Sequence, residues 1–105
     1  MMIDIGKTRL ECDSFGEENA PLSVLIPGAG APAEFWPEPF CRRLAGSGMR
    51  VVRYSHRDTG LSTHFTRQYA IDELLQDLTG LIVALGSHAA HLVGHSMGGY
   101  LAQIK

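Results

Sequence analysis

The residues best suited to chemistry are G-H-S-M-G at 94–98, which follow the pattern G-x-S-x-G. In this pattern a serine stands on a sharp turn between a strand and a helix, where its hydroxyl is exposed as a nucleophile. The flanking sequence suits such a turn, because H-L-V at 91–93 predicts a buried strand and Y-L-A-Q-I at 100–104 favours a helix. The pattern therefore predicts a nucleophile at Ser96. The alternative is a glycine-rich turn with an incidental serine.

A serine hydroxyl is a weak nucleophile that needs a base, an orienting acid and donors for the oxyanion. The helix that begins at the serine offers the backbone N–H of Met97 as one donor. The second is expected in the loop after a strand predicted at 22–26, and we assign it to the amide of Ala29. Gly28 and Gly30 would let this backbone approach a substrate, although the loop could also be a plain turn.

No histidine is an obvious base for this serine. The five histidines all precede it in the chain: His56, His64, His88, His91 and His95. Side chains alternate along a strand, so His95 is expected to face away from Ser96 and to pack beside the turn, within reach of a substrate. His56 and His64 fall in a loop at the same edge of the predicted sheet, where a substrate contact or a structural role is open.

Apolar runs and turn residues predict an alternating order of strands and helices. A hairpin around Gly6 comes first, and the prolines and glycines near 37–48 delimit a short helix. The strongest helix pattern has seven aliphatic residues on one face, and Gly80 interrupts it at a cost of about 0.5–1 kcal/mol. The predicted elements are a hairpin over 2–15, strands at 22–26, 50–54 and 91–93, and helices at 37–44 and 70–85. This alternation predicts an α/β fold with a mostly parallel sheet and flanking helices.

Composition excludes several classes of protein. The chain has 105 residues, 45% of them hydrophobic, which suits a globular core. A formal charge of −2 with mixed signs argues against nucleic-acid or membrane-surface partners, and no 18-residue apolar run or signal peptide is visible. Cys12 and Cys41 are far apart and lack metal-ligand spacing, so we expect free thiols in the cytoplasm and no bound metal.

Two segments together resemble the α/β-hydrolase superfamily, and in particular esterases similar to aclacinomycin methylesterase. They are R-Y-S-H-R-D-T-G-L-S-T at 53–63 and L-V-G-H-S-M-G-G at 92–99. Ser55 stands where the esterases have aspartate. The resemblance covers nearly the whole chain and implies an eight-stranded sheet, of which 1–105 would supply the first five strands. The catalytic acid, the histidine and the cap would then follow Lys105, because the order in this fold is serine, acid, histidine.

The resemblance assigns roles to individual positions. Ser96 matches the nucleophile, and Met97 and Ala29 match the oxyanion donors, although many members have His-Gly where this chain has Pro27 and Gly28. The residues that match a shared structural loop, which shapes the turn and braces the site, are Asp58, Gly60 and Ser62. Trp36 either lines the pocket under the cap or packs against the short helix.

We therefore expect a serine hydrolase that cleaves small-molecule carboxylic esters through an acyl-enzyme on Ser96, without a cofactor. The 105 residues alone are expected to be inactive, poorly soluble or partly unfolded, because a complete triad is not in them. The alternatives are a non-catalytic hydrolase-like fragment or pseudoenzyme, and cleavage of another bond by a carbon–carbon hydrolase, a thioesterase or a cofactor-free haloperoxidase. The oligomeric state stays open.

Overall fold

The computed structural model describes residues 1–6, 8–28, 30–64, 71–87 and 90–95. Within them lie five strands, two α-helices and a short 3-10 helix. The strands are β1 (Met2–Ile5), β2 (Thr8–Phe15), β3 (Leu22–Ile26), β4 (Arg50–Tyr54) and β5 (His91–Gly94). The helices are α1 (Glu38–Ala45), α2 (Ile71–Ala84) and the 3-10 helix Ala33–Phe35. No helix in these ranges is long and apolar enough to cross a membrane.

The five strands form one mixed sheet in the order β1-β2-β4-β3-β5. β3 lies between β4 and β5 and is parallel to both, while β1 and β2 form an antiparallel hairpin at the other side. β2 is shared: its first half pairs with β1, and Cys12 to Phe15 pair antiparallel with β4. The predicted fold class, an N-terminal hairpin followed by a mostly parallel sheet, is confirmed.

α2 covers one face of the sheet with the aliphatic stripe that the sequence predicts. Leu74, Leu78 and Leu81 are at most 2% exposed and pack against β-strand side chains such as Val24 and Val52. Gly80 lies against β1, where an added Cβ would stand 3.1 Å from the Cβ of Ile5. A glycine that is unfavourable for an isolated helix therefore allows this helix to approach the hairpin closely.

α1 covers the opposite face over a smaller cluster of Phe15, Leu25, Cys41 and Val51. Cys12 belongs to the core under α2, so the sheet separates the two thiols, and both are free. Burial raises the pKa of each thiol, which keeps them in the unreactive protonated form.

Element boundaries differ from the sequence prediction in a few places. α1 runs one residue later, with Pro37 as its N-cap, and α2 begins at Ile71, since position 70 lies outside the described residues. The expectation that the last strand is buried is wrong for the described structure. The side chains of β5 alternate between exposed and half-buried, because β3 is its only partner among the described strands.

Candidate active site

The carboxyl ends of the three parallel strands meet at one edge of the sheet. Ile26 pairs with Gly94 and Leu25 pairs with Arg53, so β3, β4 and β5 end at nearly the same level. The backbone N–H of His95 continues this ladder by donating to the carbonyl of Ile26 at 3.4 Å. In open α/β sheets this edge is where ligands bind. The loops that follow the strands therefore converge at the position expected for a site.

Three predicted site residues, Ser96, Met97 and Ala29, lie outside the described residues. The backbone on both sides of position 29 is described. Gly28 is buried, and its carbonyl accepts the N–H of Ala31 at 3.1 Å in a turn. Gly30 is exposed with φ +68°, a left-handed conformation that favours glycine.

His95, predicted to pack beside the elbow, is exposed at the carboxyl edge. Its ring lies 4.9 Å from that of Phe35, with the two planes tilted by 41°. Phe35 ends the 3-10 helix and is 40% exposed. Phe35 could not be singled out from the sequence, because a three-residue helix has no periodicity to detect. The contact brings the loop after β3 next to the residue that precedes Ser96.

Trp36 lies beside helix α1. Its ring stacks on Phe40 at 5.8 Å and meets Phe35 edge to face at 5.4 Å. Its carbonyl accepts a hydrogen bond from the guanidinium of Arg53 at 2.7 Å. Its indole Nε1 is buried without a partner among the described residues. Of the two roles weighed for Trp36, these contacts favour packing against the short helix.

His56 is a buried structural residue in this loop cluster, with 2% of its surface exposed. Its Nε2 lies 2.9 Å from the carbonyl oxygen of Pro27. A carbonyl can only accept, so Nε2 carries the hydrogen. Burial lowers the pKa of His56, against smaller opposing effects of the Pro27 carbonyl and the charge of Asp77. Of the two open roles, a substrate contact is disfavoured because the ring is inaccessible.

His56 makes folding stability depend on pH with a defined sign. Because its folded pKa lies below the ordinary value of 6.5, the folded state favours the neutral ring. This contribution is complete above about pH 6.5, the unfolded pKa, and is lost as the pH falls from there towards the folded pKa. We expect the unfolding free energy of the wild type to drop more steeply than that of His56→Gln between pH 7.5 and 5, measured by denaturant titration. Parallel pH profiles for the two proteins would contradict this assignment.

The loop after β4 is stabilised by hydrogen bonds between its own residues and packs closely against Glu11 of β2. The N–H of Asp58, a residue with φ +66°, donates to the carbonyl of Thr63 at 2.8 Å and closes the turn. The hydroxyl of Ser62 donates to the carbonyl of Ser55 at 2.8 Å. At Gly60, with φ +51°, an added Cβ would collide with a carboxylate oxygen of Glu11. These contacts agree with the bracing role expected for this loop.

Arg57 ties the same loop to α2. Its Nε and Nη2 donate to the two carboxylate oxygens of Asp77, both at 2.8 Å, and Nη1 donates to Glu73 at 2.9 Å. The side chains of Arg57 and Asp77 are each 6% exposed. The hydrogen bonds to Asp77 raise the pKa of Arg57, so the guanidinium stays charged. Across the described ranges, no three His, Cys, Asp or Glu side chains are grouped to hold a metal ion.

The sequence and the fold are similar to those of known proteins. Residues 24–104 match the model of the alpha/beta hydrolase family. The chain belongs to that family. It is 38% identical over 107 residues to rhodomycin D methylesterase DauP of Streptomyces sp. (strain C5), and 36% identical to DnrP of Streptomyces peucetius. Each alignment covers 98% of this chain and 36% of the methylesterase, so the chain spans about a third of the length of these relatives.

Solved structures of hydrolases share the architecture. The enol-lactonase of Burkholderia xenovorans LB400 superposes with a TM-score of 0.86 at 30% identity, covering 96% of this chain and 39% of the lactonase. The family membership expected from 53–63 and 92–99 is thus confirmed.

Proposed function

We propose that this chain carries the nucleophile and the oxyanion donors of a serine hydrolase that cleaves carboxylic esters of small molecules. One observation carries the proposal. The register of β3 with β5 and the 4.9 Å contact of Phe35 with His95 set the loop after β3 beside the residue before Ser96. Nucleophile and second donor must be neighbours in this way for acyl transfer. The methylesterase and lactonase names of similar proteins support an ester as the bond cleaved.

The reaction follows from the chemistry of these groups. The hydroxyl oxygen of Ser96 attacks the ester carbonyl while a base takes its proton. The backbone N–H groups of Met97 and Ala29 donate to the oxyanion of the tetrahedral intermediate. Its collapse expels the alcohol, which recovers the proton, and water then releases the acid from the acyl-enzyme. None of these steps requires a metal or cofactor.

We propose that residues 1–105 form the N-terminal part of the hydrolase domain and that the acid and the histidine come from elsewhere in the complete protein. Support comes from the 36% of the methylesterase length that the chain matches, and from the positions of His56 and His91. His56 is buried, and His91 lies at the opposite edge of the sheet, at the start of β5.

Two free thiols on separate faces of the sheet favour the reducing cytoplasm.

A fluorophosphonate probe tests the proposal, since it reacts with activated serine nucleophiles. We expect the product of the complete reading frame to gain one phosphonate, located on Ser96 by peptide mass. Ser96→Ala should abolish labelling, and Ser87→Ala, which alters a serine after α2 at the other edge, should leave it unchanged. The 105 residues alone should react with the probe at little above the background rate. They should also hydrolyse esters at little above the background rate. Labelling without ester turnover would indicate cleavage of another bond, and no labelling would favour a non-catalytic protein.

A further inference from the structure

The loop after β3 is held from one side by the start of the loop after β4. The carbonyl of Pro27 accepts from His56 Nε2 at 2.9 Å. The hydroxyl of Thr59 donates to the carbonyl of His56 at 2.7 Å, and it also lies 3.3 Å from the carbonyl oxygen of Ala31. The third contact is the backbone N–H of Ala33, which donates to the hydroxyl oxygen of Ser55 at 2.8 Å. The segment that contains Gly28 and Gly30 is thus fixed at both ends.

Ser55 has a second partner that comes from β2. Its hydroxyl is buried with the rest of the residue, 0% exposed, and has a single hydrogen to give. That hydrogen points to Glu11, whose Oε1 lies 2.9 Å from the Ser55 oxygen. Because the hydrogen is committed to Glu11, a lone pair of the hydroxyl faces the N–H of Ala33. An ionised acceptor also polarises the hydroxyl and strengthens the bond that it accepts.

Glu11 is itself held in one orientation. Its Oε1 accepts a second hydrogen bond, from the N–H of Leu61 at 3.1 Å. Its backbone is also fixed, because its N–H donates to the hydroxyl of Ser62 at 2.8 Å and its carbonyl accepts the N–H of Ser55 at 2.9 Å. Gly60 leaves open the space that this carboxylate occupies. The Glu11 carboxylate is therefore held in a defined position by the loop after β4.

We propose that Glu11 and Ser55 are positioning residues for the oxyanion side of the active site, an inference that rests on the proposed function. The chain of bonds from Glu11 through Ser55 to the N–H of Ala33 sets the place of the loop after β3. Neither residue is expected to touch a substrate. Small displacements of a donor matter, because a 1 Å misplacement in a catalytic arrangement can cost about a hundredfold in rate.

The test is a double-mutant cycle on ester hydrolysis by the product of the complete reading frame, with p-nitrophenyl butyrate as the substrate. We expect Glu11→Ala and Ser55→Ala each to lower kcat by about tenfold and to change KM by less than about twofold. The double variant should be no worse than either single one, because both cut the same chain. Glu11→Gln keeps an oxygen that can accept both hydrogens, so its kcat should stay within about threefold of the wild type.

Thr63→Ala is the matched control. It removes a hydroxyl that accepts the N–H of Arg9 at 2.8 Å, a bond between β2 and the same loop that does not reach the loop after β3. Its kcat and KM should equal those of the wild type within about twofold. Thermal melts of all variants separate misfolding from misplacement. If Ser55→Ala does not fold, the comparison of Glu11→Ala with Glu11→Gln still decides the proposal.

Two results would overturn the positioning role while leaving the hydrolase intact. One is a folded Glu11→Ala protein with the kcat of the wild type, and the other is a rise of KM without loss of kcat. Ser96→Ala is measured beside these variants. If Ser96→Ala is inactive, such a result rejects the positioning role alone. If Ser96→Ala turns over like the wild type, the proposed function fails and the positioning role fails with it.

Discussion

Ser96→Ala is expected to lower ester hydrolysis by at least about a thousandfold, equivalent to about 4 kcal/mol of transition-state free energy. The methyl group cannot form the acyl-enzyme, so only binding and the oxyanion donors would continue to accelerate attack by water. The measurement is kcat/KM for p-nitrophenyl butyrate with the product of the complete reading frame. The residual rate of Ser96→Ala should be compared with the rate of uncatalysed ester hydrolysis in buffer.

The interpretation depends on an unchanged fold. Ser96→Ala should melt within a few degrees of the wild type, because it removes one oxygen atom at a position proposed to face substrate. Ser87→Ala removes the same oxygen from a serine at the opposite edge of the sheet, and its kcat/KM should match that of the wild type. A folded Ser96→Ala protein with more than a tenth of the wild-type rate would refute the assignment of the nucleophile.

Two of the three parallel strands could be predicted to the residue from local pattern, and the third, β5, extends one residue beyond the predicted 91–93. β3 and β4 begin and end at the predicted bounds 22–26 and 50–54, because strands buried on both faces are rich in residues such as Val, Ile and Leu. The hairpin was also located over 2–15. Residues 13–15 are held as a strand by pairing with β4 about 40 residues away, and no local pattern records that pairing.

The loops of the site were less predictable, because tertiary contacts determine them. The segment 55–59 reads as a polar loop, yet Ser55, His56 and Arg57 are all at most 5% exposed. Each is buried with a specific partner at a distance in sequence: Glu11 for the serine, the carbonyl of Pro27 for the histidine and Asp77 for the arginine. The resemblance at 53–63 indicated a bracing loop. It could not indicate Glu11, which lies 44 residues before Ser55 on a strand outside both motifs.

The burial of Arg57 leads to the largest stability effect that we expect. Its guanidinium holds both oxygens of Asp77, and neither side chain has appreciable access to water. Arg57→Leu would leave the Asp77 carboxylate buried without that compensation. We expect a loss of about 3–5 kcal/mol in unfolding free energy, measured by denaturant titration, since breaking a buried pair on one side is costly. Asp77→Leu should cost less, because Arg57 keeps its contact with Glu73.

The double variant distinguishes a desolvated charge from lost packing. Arg57→Leu combined with Asp77→Leu removes both charges, so it should be more stable than Arg57→Leu alone by at least about 1–2 kcal/mol. Arg9→Leu breaks an exposed pair with Asp4, whose side chains are 62% and 71% exposed, and should cost no more than about 1 kcal/mol. Equal losses for Arg57→Leu and Arg9→Leu, or additive losses in the double variant, would show that Asp77 does not depend on Arg57. If these results are obtained, the ion pair between Arg57 of the loop after β4 and Asp77 of α2 positions that loop as much as its turn residues do.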